Sequence, residues 1–408
     1  MKRNLILGFA LLLMGSSLIY AQSNTSNVYS IGTLNGAIVE QHGNANNSDI
    51  DQYGFSWFGG FFNKAFVDQK GHLNDAMIDQ QGSFNIAKAT QKGNGNMSRQ
   101  TQRWFGNYGV VNQDGSENLA VQDQGALGWF SGSSAFIAQQ GHANEAYQVQ
   151  RGAWNMANAE QNGNRNYAVQ HQFGLGNNAN VDQNGSKHES YEFQFGLNNY
   201  SSTKQRSEGQ DSYVLQMGEG NWQTTFQTGN DNDAYTSQFG VRNGSVTEQH
   251  GKENLSYTIQ IGDENYASTS QKGNGHLSVT SQFGDRNNSV TEQESKTQES
   301  FVFQIGDGNW QNTFQTGNSN DAFTTQFGNE NGSVTEQHGK ENLSNTFQDG
   351  ILNYSFTEQH GKMNISEVDQ FGMSNNAYAR QHGAMNNSDV LQIGLGNTSS
   401  VIQNGGGH

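Results

Sequence analysis

The side chains able to do chemistry in this sequence are overwhelmingly carboxamides, and they are set at a fixed interval. From Gln139 a glutamine recurs every 11 residues through Gln403, twenty-four consecutive steps. Five residues after most of them stands an asparagine, which pairs Gln139 with Asn144, Gln150 with Asn155, Gln161 with Asn166, Gln326 with Asn331, Gln381 with Asn386 and Gln392 with Asn397. A primary amide both donates and accepts, so identical amides held one above another can hydrogen-bond along a column. Buried singly such groups are expensive; in an unbroken column each donor meets an acceptor and the penalty is offset. The chemistry this spacing supports is self-pairing, and these amides are the expected stacking ladder.

Other chemistry finds little footing. Catalysis asks for an unequal acid, base and nucleophile gathered in one pocket, whereas a repeat spreads equal residues along a surface. The expectation is therefore a protein that is not an enzyme and uses no cofactor or metal. His338, His360 and His382 fall 22 residues apart and would sit one coil apart, close enough to share a metal or titrate together. Asp231-Asn232-Asp233 has the spacing that opens a calcium loop. Both patterns also follow from the repeat frame alone. With no Cys there is neither a disulfide nor a thiol zinc site. A formal charge of -16 opposes sequence-independent nucleic-acid binding, which needs an excess of Lys and Arg.

The element that positions these amides must repeat with them. Each unit reads as a turn, Gly-x-x, followed by Asn-x-Ala/Ser-x-Thr/Val-x-Gln-x. Side chains in a strand switch faces with period two, so the Asn, the small residue, the Thr/Val position and the Gln share one face. Glycine supplies the backbone freedom of a tight corner. Pro, which deletes a ladder hydrogen bond, is absent from all 408 residues. The expected fold is all-β, a two-sheet β-solenoid of about 17 stacked 22-residue strand-turn-strand coils, each made of two 11-residue half-repeats. At ~4.8 Å per coil it would form a rod about 80 Å long. The constant small residue two after Asn, as in Ala146, Ala157 and Ala168, implies that the two sheets lie close together.

Exceptions to the pattern travel together. Ser207 with Gln210 and Ser295 with Gln298 replace Gly and Asn in units 88 residues apart, and His188 and His276 replace Asn at the same separation. A block of eight units has been duplicated. Upstream the register continues through Gln41, Gln52, Gln69, Gln80, Gln91, Gln102, Gln113 and Gln124, with six extra residues after Gln52 and four after Gln124. The expected organisation is a signal peptide over 1–21, a short lead-in over 22–34, repeats with two aromatic loop insertions over 35–138, and regular repeats over 139–408. The signal peptide is read from Met1-Lys2-Arg3, the apolar run Leu5 to Leu13 and a small residue at Ala21. No other stretch is long enough to cross a bilayer as a helix. The aromatic segments around Trp57, Trp104 and Trp129 follow glutamines of one parity, and should form a loop cluster that either binds a surface or glycan or folds over the first coils.

The two outer faces differ. On strands of one parity a column reads Tyr191, Tyr213, Tyr235, Tyr257, Val279, Phe301, Phe323. The residues after Gln on the same strands include Phe173, Phe195, Met217, Phe239 and Ile261. Strands of the other parity carry His250, Lys272, Glu294 and Thr316 in that place. An apolar patch of this size is an expected lateral contact surface between rods or with a partner.

The spacing Gln-x-Gly-x-x-Asn-x-Ala-x-x-x-Gln, repeated from about residue 35 to 403, resembles the curlin repeat of the curli subunits of Gram-negative bacteria. The resemblance implies a secreted structural subunit of an extracellular amyloid fibre of the biofilm matrix, with a role in adhesion. It also implies self-polymerisation, export through a dedicated outer-membrane pore and nucleation by a related minor subunit. The alternative is that this chain is itself the cell-surface nucleator, or an adhesin using the N-terminal aromatic loops.

Overall fold

The structure is a computed structural model that describes residues 23–54, 61–125 and 132–405. Those residues contain 34 β-strands, numbered β1 to β34 in chain order, and no helix. They fall into two compact units, Met1–Arg165 with β1 to β12 and Asn166–His408 with β13 to β34. Within each unit odd strands pair with odd and even with even, always parallel and 22 residues apart except where an insertion lengthens the step. In the first unit β1 (Thr25–Ser30) pairs with β3 (Asn47–Tyr53), and β2 (Gly36–Asn44) with β4 (Lys64–His72). In the second β20 (Gly244–Lys252) pairs with β22 (Tyr266–Asn274) in the register Gln249 to Gln271. Each unit is thus a two-sheet parallel β-solenoid, with six coils in the first and eleven in the second. The seventeen coils agree with the expected number.

Alternation makes the strands what they are. The pattern buried, part-buried, buried along β19 (Asp233–Val241) places Ala234, Thr236 and Gln238 inside and Tyr235, Ser237 and Phe239 outside. The small inner residues Ala and Ser let the sheets approach, and aliphatic side chains fill only parts of the core. In the first unit Ile50, Ile78 and Val67 cluster with neighbouring alanines; near the C-terminus Val368 and Val390 do the same. Elsewhere Thr, Ser, Ala and Gln predominate inside, with single aliphatics such as Ile137, Val181, Val214 and Val302 among them.

Each corner uses two kinds of positive φ. The first follows the repeat Gln by two residues and is Gly in nearly every coil, as at Gly251 with φ 126. A Cβ there would lie 1.8 Å from the carbonyl oxygen of Gly273 in the next coil, so at that φ no side chain fits at the coil spacing. The second, two residues further, is left-handed and carries many residue types: Glu253 (φ 55), Arg242 (φ 56) and Met363 (φ 55). Ser207 and Ser295 occupy the first kind of position with φ 94 and 100. Gln210 explains why the exceptions are coupled. Its longer side chain accepts from the Arg206 N–H (2.9 Å) and donates to the Arg206 and Gly229 carbonyls (2.8 and 2.9 Å), reshaping the turn around Ser207.

Candidate functional site: stacked amides and open strand edges

Every repeat glutamine is held by backbone and by its neighbours. Gln249 Nε2 donates to Gln271 Oε1 and to the Asp233 carbonyl, both at 2.9 Å. The same pair of bonds recurs at Gln326, to Gln348 Oε1 (2.8 Å) and the Trp310 carbonyl (3.0 Å). In the first unit Gln139 receives from Gln113 and donates to Gln161, each at 2.8 Å, and Gln150 receives from Gln124 at 3.0 Å. At the far end Gln381 donates to Gln403 and Gln370 to Gln392, at 2.9 and 2.7 Å. Donation along glutamine columns therefore always runs toward the C-terminus.

Asparagine columns run the other way. Asn331 donates its backbone N–H and Nδ2 to Asn309 Oδ1 at 3.0 and 3.1 Å. Asn144 makes the same pair of bonds to Asn118, and Asn386 and Asn397 make them to Asn364 and Asn375. Asn155 is buried at its corner and donates to the Arg151 carbonyl (3.4 Å), and Asn166 caps the Gly185 carbonyl (3.1 Å) while accepting from the His188 N–H. Where His188 and His276 replace Asn, the ring Nδ1 serves as the acceptor, for the N–H of Gln210 (3.4 Å) and of Gln298 (3.3 Å). Burial holds both imidazoles below their usual pKa, which keeps that nitrogen free to accept.

This polarity gives the chain two different ends. At the N-terminal end Gln41 heads the even column and Gln52 the odd one; Gln52 Oε1 and Asn24 Nδ2 are buried without a partner. At the last described coil Gln392 and Gln403 give one N–H each to the backbone, at Asn376 and Asn387, and no described coil takes the other. The last strands, β33 (Asn387–Leu395) and β34 (Thr398–Asn404), pair on one side only, with β31 (Ile365–Met373) and β32 (Asn376–Ala384). Donors left over at one end match acceptors left over at the other. One mismatch exists, since Ser30 stands opposite Gln52 where a repeat glutamine would be.

A further amide column was missed in the sequence. Two residues before the repeat Gln the usual residue is Thr, Val, Ile or Ala, but three coils of the first unit carry Gln100, Gln122 and Gln148, linked at 3.1 and 3.0 Å. In the second unit the same place holds Gln170 and Glu192, at 3.1 Å. The signal was visible as the only stretch where that inner position is long and polar.

The outer aromatic columns lie on odd strands of the second unit. Tyr191, Tyr213, Tyr235 and Tyr257 stand in register on successive strands; the first two rings are tilted with centroids 6.4 Å apart, the last two are stacked at 4.8 Å, and Phe301 and Phe323 lie 5.1 Å apart and parallel. A middle column, including Phe193, Leu215, Ile259 and Phe303, widens the face. Acids edge it: Glu189, Asp211 and Asp233 follow one another coil by coil. Burial, then the neighbouring Asp233 and Glu189, push Asp211 up to about 6. Tyr191 is pushed up to about 12 by burial and by Glu189, to which its hydroxyl donates at 3.1 Å.

His338, His360 and His382 stack face to face at 4.5 and 4.8 Å, with Glu358 Oε1 2.8 Å from His360 and Oε2 3.2 Å from Arg380. Burial and the stacked His360 lower the pKa of His338. Among the described residues no group of three or more His, Cys, Asp or Glu is placed to hold a metal ion. Asp231 lies at a left-handed corner position (φ 54), two residues before Asp233 at the start of β19. Trp104 occupies a corner-glycine position at the end of β7 (Met97–Phe105), half-buried with φ 78. Trp57, Trp129 and the segment 1–21 expected to be a signal peptide lie outside the described residues.

The family model of the curlin-associated repeat matches residues 71–103, which span β5 (Asp75–Ser83), β6 (Ile86–Asn94) and most of β7. No curated protein matches the chain. The matched segment is three 11-residue units of a register whose Gln recurs in the other coils, with Gly and Asn in most of them. Over those residues the chain is similar to the curlin-associated repeat.

Proposed function

We propose that this chain is the structural subunit of a curli-like extracellular amyloid fibre, secreted by a Gram-negative bacterium into its biofilm matrix. It grows by setting the first coil of one copy on the last coil of another. The observation that carries this reading is the pair of open ends with complementary leftover groups, the donor of Gln403 against the acceptor of Gln41 on even strands, and the acceptor of Asn386 against the donor of Asn24 on odd ones. An open parallel edge recruits a further strand, and an identical coil is the one that continues every column in register. Export through an outer-membrane pore and nucleation by a minor subunit complete the reading, on the family resemblance.

Dilution of residues 22–408 from denaturant is expected to give sigmoidal polymerisation whose lag is abolished by seeds, and fibres with a meridional reflection near ~4.7 Å. A chain that folds but stays monomeric at high concentration would overturn the fibre reading. It would leave a second one, a nucleator or adhesin, which the exposed corner aromatics Phe62, Phe84 and Trp154 of the first unit favour.

The aromatic face of the second unit is, in this reading, where two copies lie side by side. Eight coils, β13 to β27, at ~4.8 Å and three outward residues per strand give roughly 600 Å² per copy, the low end of a standard stable interface, before Asn345, Asp349, Glu367 and Asp389 interrupt the columns. Only another solenoid offers ridges at the same spacing over that length. Tyr213→Ser, Tyr235→Ser and Tyr257→Ser together are expected to leave single filaments and abolish bundles under the electron microscope; unchanged bundling would mean that the rings merely stack along the strands.

A further inference from the structure

Among the described residues one Asp or Glu is fully buried, Glu192 on β15 (Glu189–Leu197). It faces inward between β13 (Tyr167–Leu175) and β17 (Asp211–Glu219) of its own sheet, against β14 (Asn178–Ser186) and β16 (Tyr200–Glu208) of the other. The inward positions of those four strands are Ala, Ser, Thr, Val and Gln, and none titrates. The other titratable group pointing into this part of the core is His188, at the corner just before β15, which burial keeps neutral.

The hydrogen bonds around Glu192 count its protons. Gln170 Nε2 donates to Oε2 at 3.1 Å, and Ser201 Oγ lies 3.0 Å from Oε1. Ser201 Oγ also lies 3.0 Å from Gln223 Oε1, and Gln223 gives its own N–H to Thr225 Oγ1. A hydroxyl has one hydrogen. If Ser201 spends it on a carboxylate, Gln223 Oε1 loses its donor inside the core; if Glu192 carries a proton, it donates to Ser201, Ser201 donates to Gln223, and every group in the chain is satisfied.

The duplicated block holds the same chain with a different first member. Thr280 stands 88 residues after Glu192, with its Oγ1 3.5 Å from Ser289 Oγ; Ser289 donates to Gln311 Oε1 at 3.0 Å, and Gln311 to Thr313 Oγ1. Thr280 always has a proton to give. Glu192 needs one from solvent.

We propose that Glu192 is a structural acid, carried protonated in the folded solenoid as the donor to Ser201, so that folding of the second unit takes up one proton. Fibre growth inherits this linkage if the reading above holds, but the folding step does not depend on it. Burial agrees with the geometry, since it pushes the carboxyl up to about 7 against the pull of the bonds from Gln170, Ser201 and Thr203. A folded value above the unfolded one stabilises the fold fully below about 4.5, and that contribution is lost as pH rises through about 7.

The test compares the chain from residue 22 with Glu192→Gln and Glu192→Thr, the second being the residue used by the duplicated block. Folding is followed by circular dichroism below the concentration at which polymers form. Asp211 and Asp321, also pushed up to about 6, titrate in the same direction in all three chains, so the difference between chains is the quantity read. Between pH 5 and pH 9 the folded-to-unfolded ratio of the native chain should fall on the order of 10²-fold more than that of Glu192→Gln. The infrared band of a protonated carboxyl should be present at pH 6 in the native chain and weaker in both variants. Equal pH dependence in the native chain and the variants, or an infrared spectrum unchanged by the substitution, would overturn the proposal. If the glutamine variant does not fold, the threonine variant and the infrared band decide. Absence of fibres alongside the expected pH difference would sink the fibre reading and leave Glu192 standing.

Discussion

Chains carrying Ser400→Pro and Ile402→Pro are expected to fold as the native chain does and to stop polymerising. Asn376 N–H donates to the Asn397 carbonyl and Gly405 N–H to the His382 carbonyl, so the odd-numbered residues at this end turn their backbone groups toward β32. Alternation along the strand turns those of Thr398, Ser400, Ile402 and Asn404 toward the open edge. Proline at 400 and 402 removes two N–H groups that nothing within the chain uses, and its rings crowd the space an incoming strand would fill. Proline is tolerated in strands where its missing donor faces outward. A copy arriving on β34 would lose two backbone bonds, each worth about 1 kcal/mol net, besides the steric clash. Growth should slow by at least about a hundredfold.

The same geometry predicts poisoning. The first coil of the variant is intact, so it can still add to the C-terminal end of a native filament and then present a closed edge. Trace amounts should therefore arrest growth of native seeds, while the circular dichroism of the soluble variant matches that of the native chain. Native-like elongation by the variant would mean that β34 is not the growing edge.

Much of this architecture is legible in the amino-acid sequence. A period of 11 with alternating burial determines coil size, parallel pairing of units 22 apart, and which residues share the inner face, because a slip of one residue would turn Gln and Asn outward along a whole strand. Less legible is anything that depends on direction. Residue type does not say that Gln249 donates forward to Gln271 while Asn331 donates back to Asn309, since an amide can do either; backbone carbonyls such as that of Asp233 take one N–H and leave the other a single way to point. Nor does composition separate Glu192 from the many surface acids. Its burial follows from parity, and its protonation from a count of hydrogens that needs Ser201 and Gln223 in place. Coupled exceptions such as Ser207 with Gln210 show as a correlation in the sequence, and their cause is the length of one side chain at a corner.

The corner glycines supply the sharpest contrast in stability, because two that stand in one turn obey different rules. Gly273 has φ 137, and a Cβ there would lie 1.9 Å from the Ser295 carbonyl oxygen; Gly251, one coil earlier, would meet the Gly273 carbonyl at 1.8 Å. The obstructing atoms are backbone, fixed by the strand ladder, so a methyl group is admitted only by prising two coils apart or by turning the corner to the lower φ that Ser207 and Ser295 adopt with Gln in place of the corner Asn. Gly275 has φ 69, and its nearest neighbour would be the Thr297 methyl at 3.4 Å. The residues above and below it in that column, Glu253 and Thr297, already have side chains in the left-handed region (φ 55 and 47). Gly251→Ala is therefore expected to cost about 3–5 kcal/mol, and Gly275→Asn less than about 1 kcal/mol, since Asn tolerates the left-handed region and restricts the unfolded chain. Denaturant melts of the two variants, taken below the polymerising concentration, measure the difference directly. Equal losses would mean that glycine is needed only for φ; the expected gap would locate the constraint in the contact between one coil's corner and the carbonyl of the next, which is the contact that sets the coil spacing on which every amide column depends.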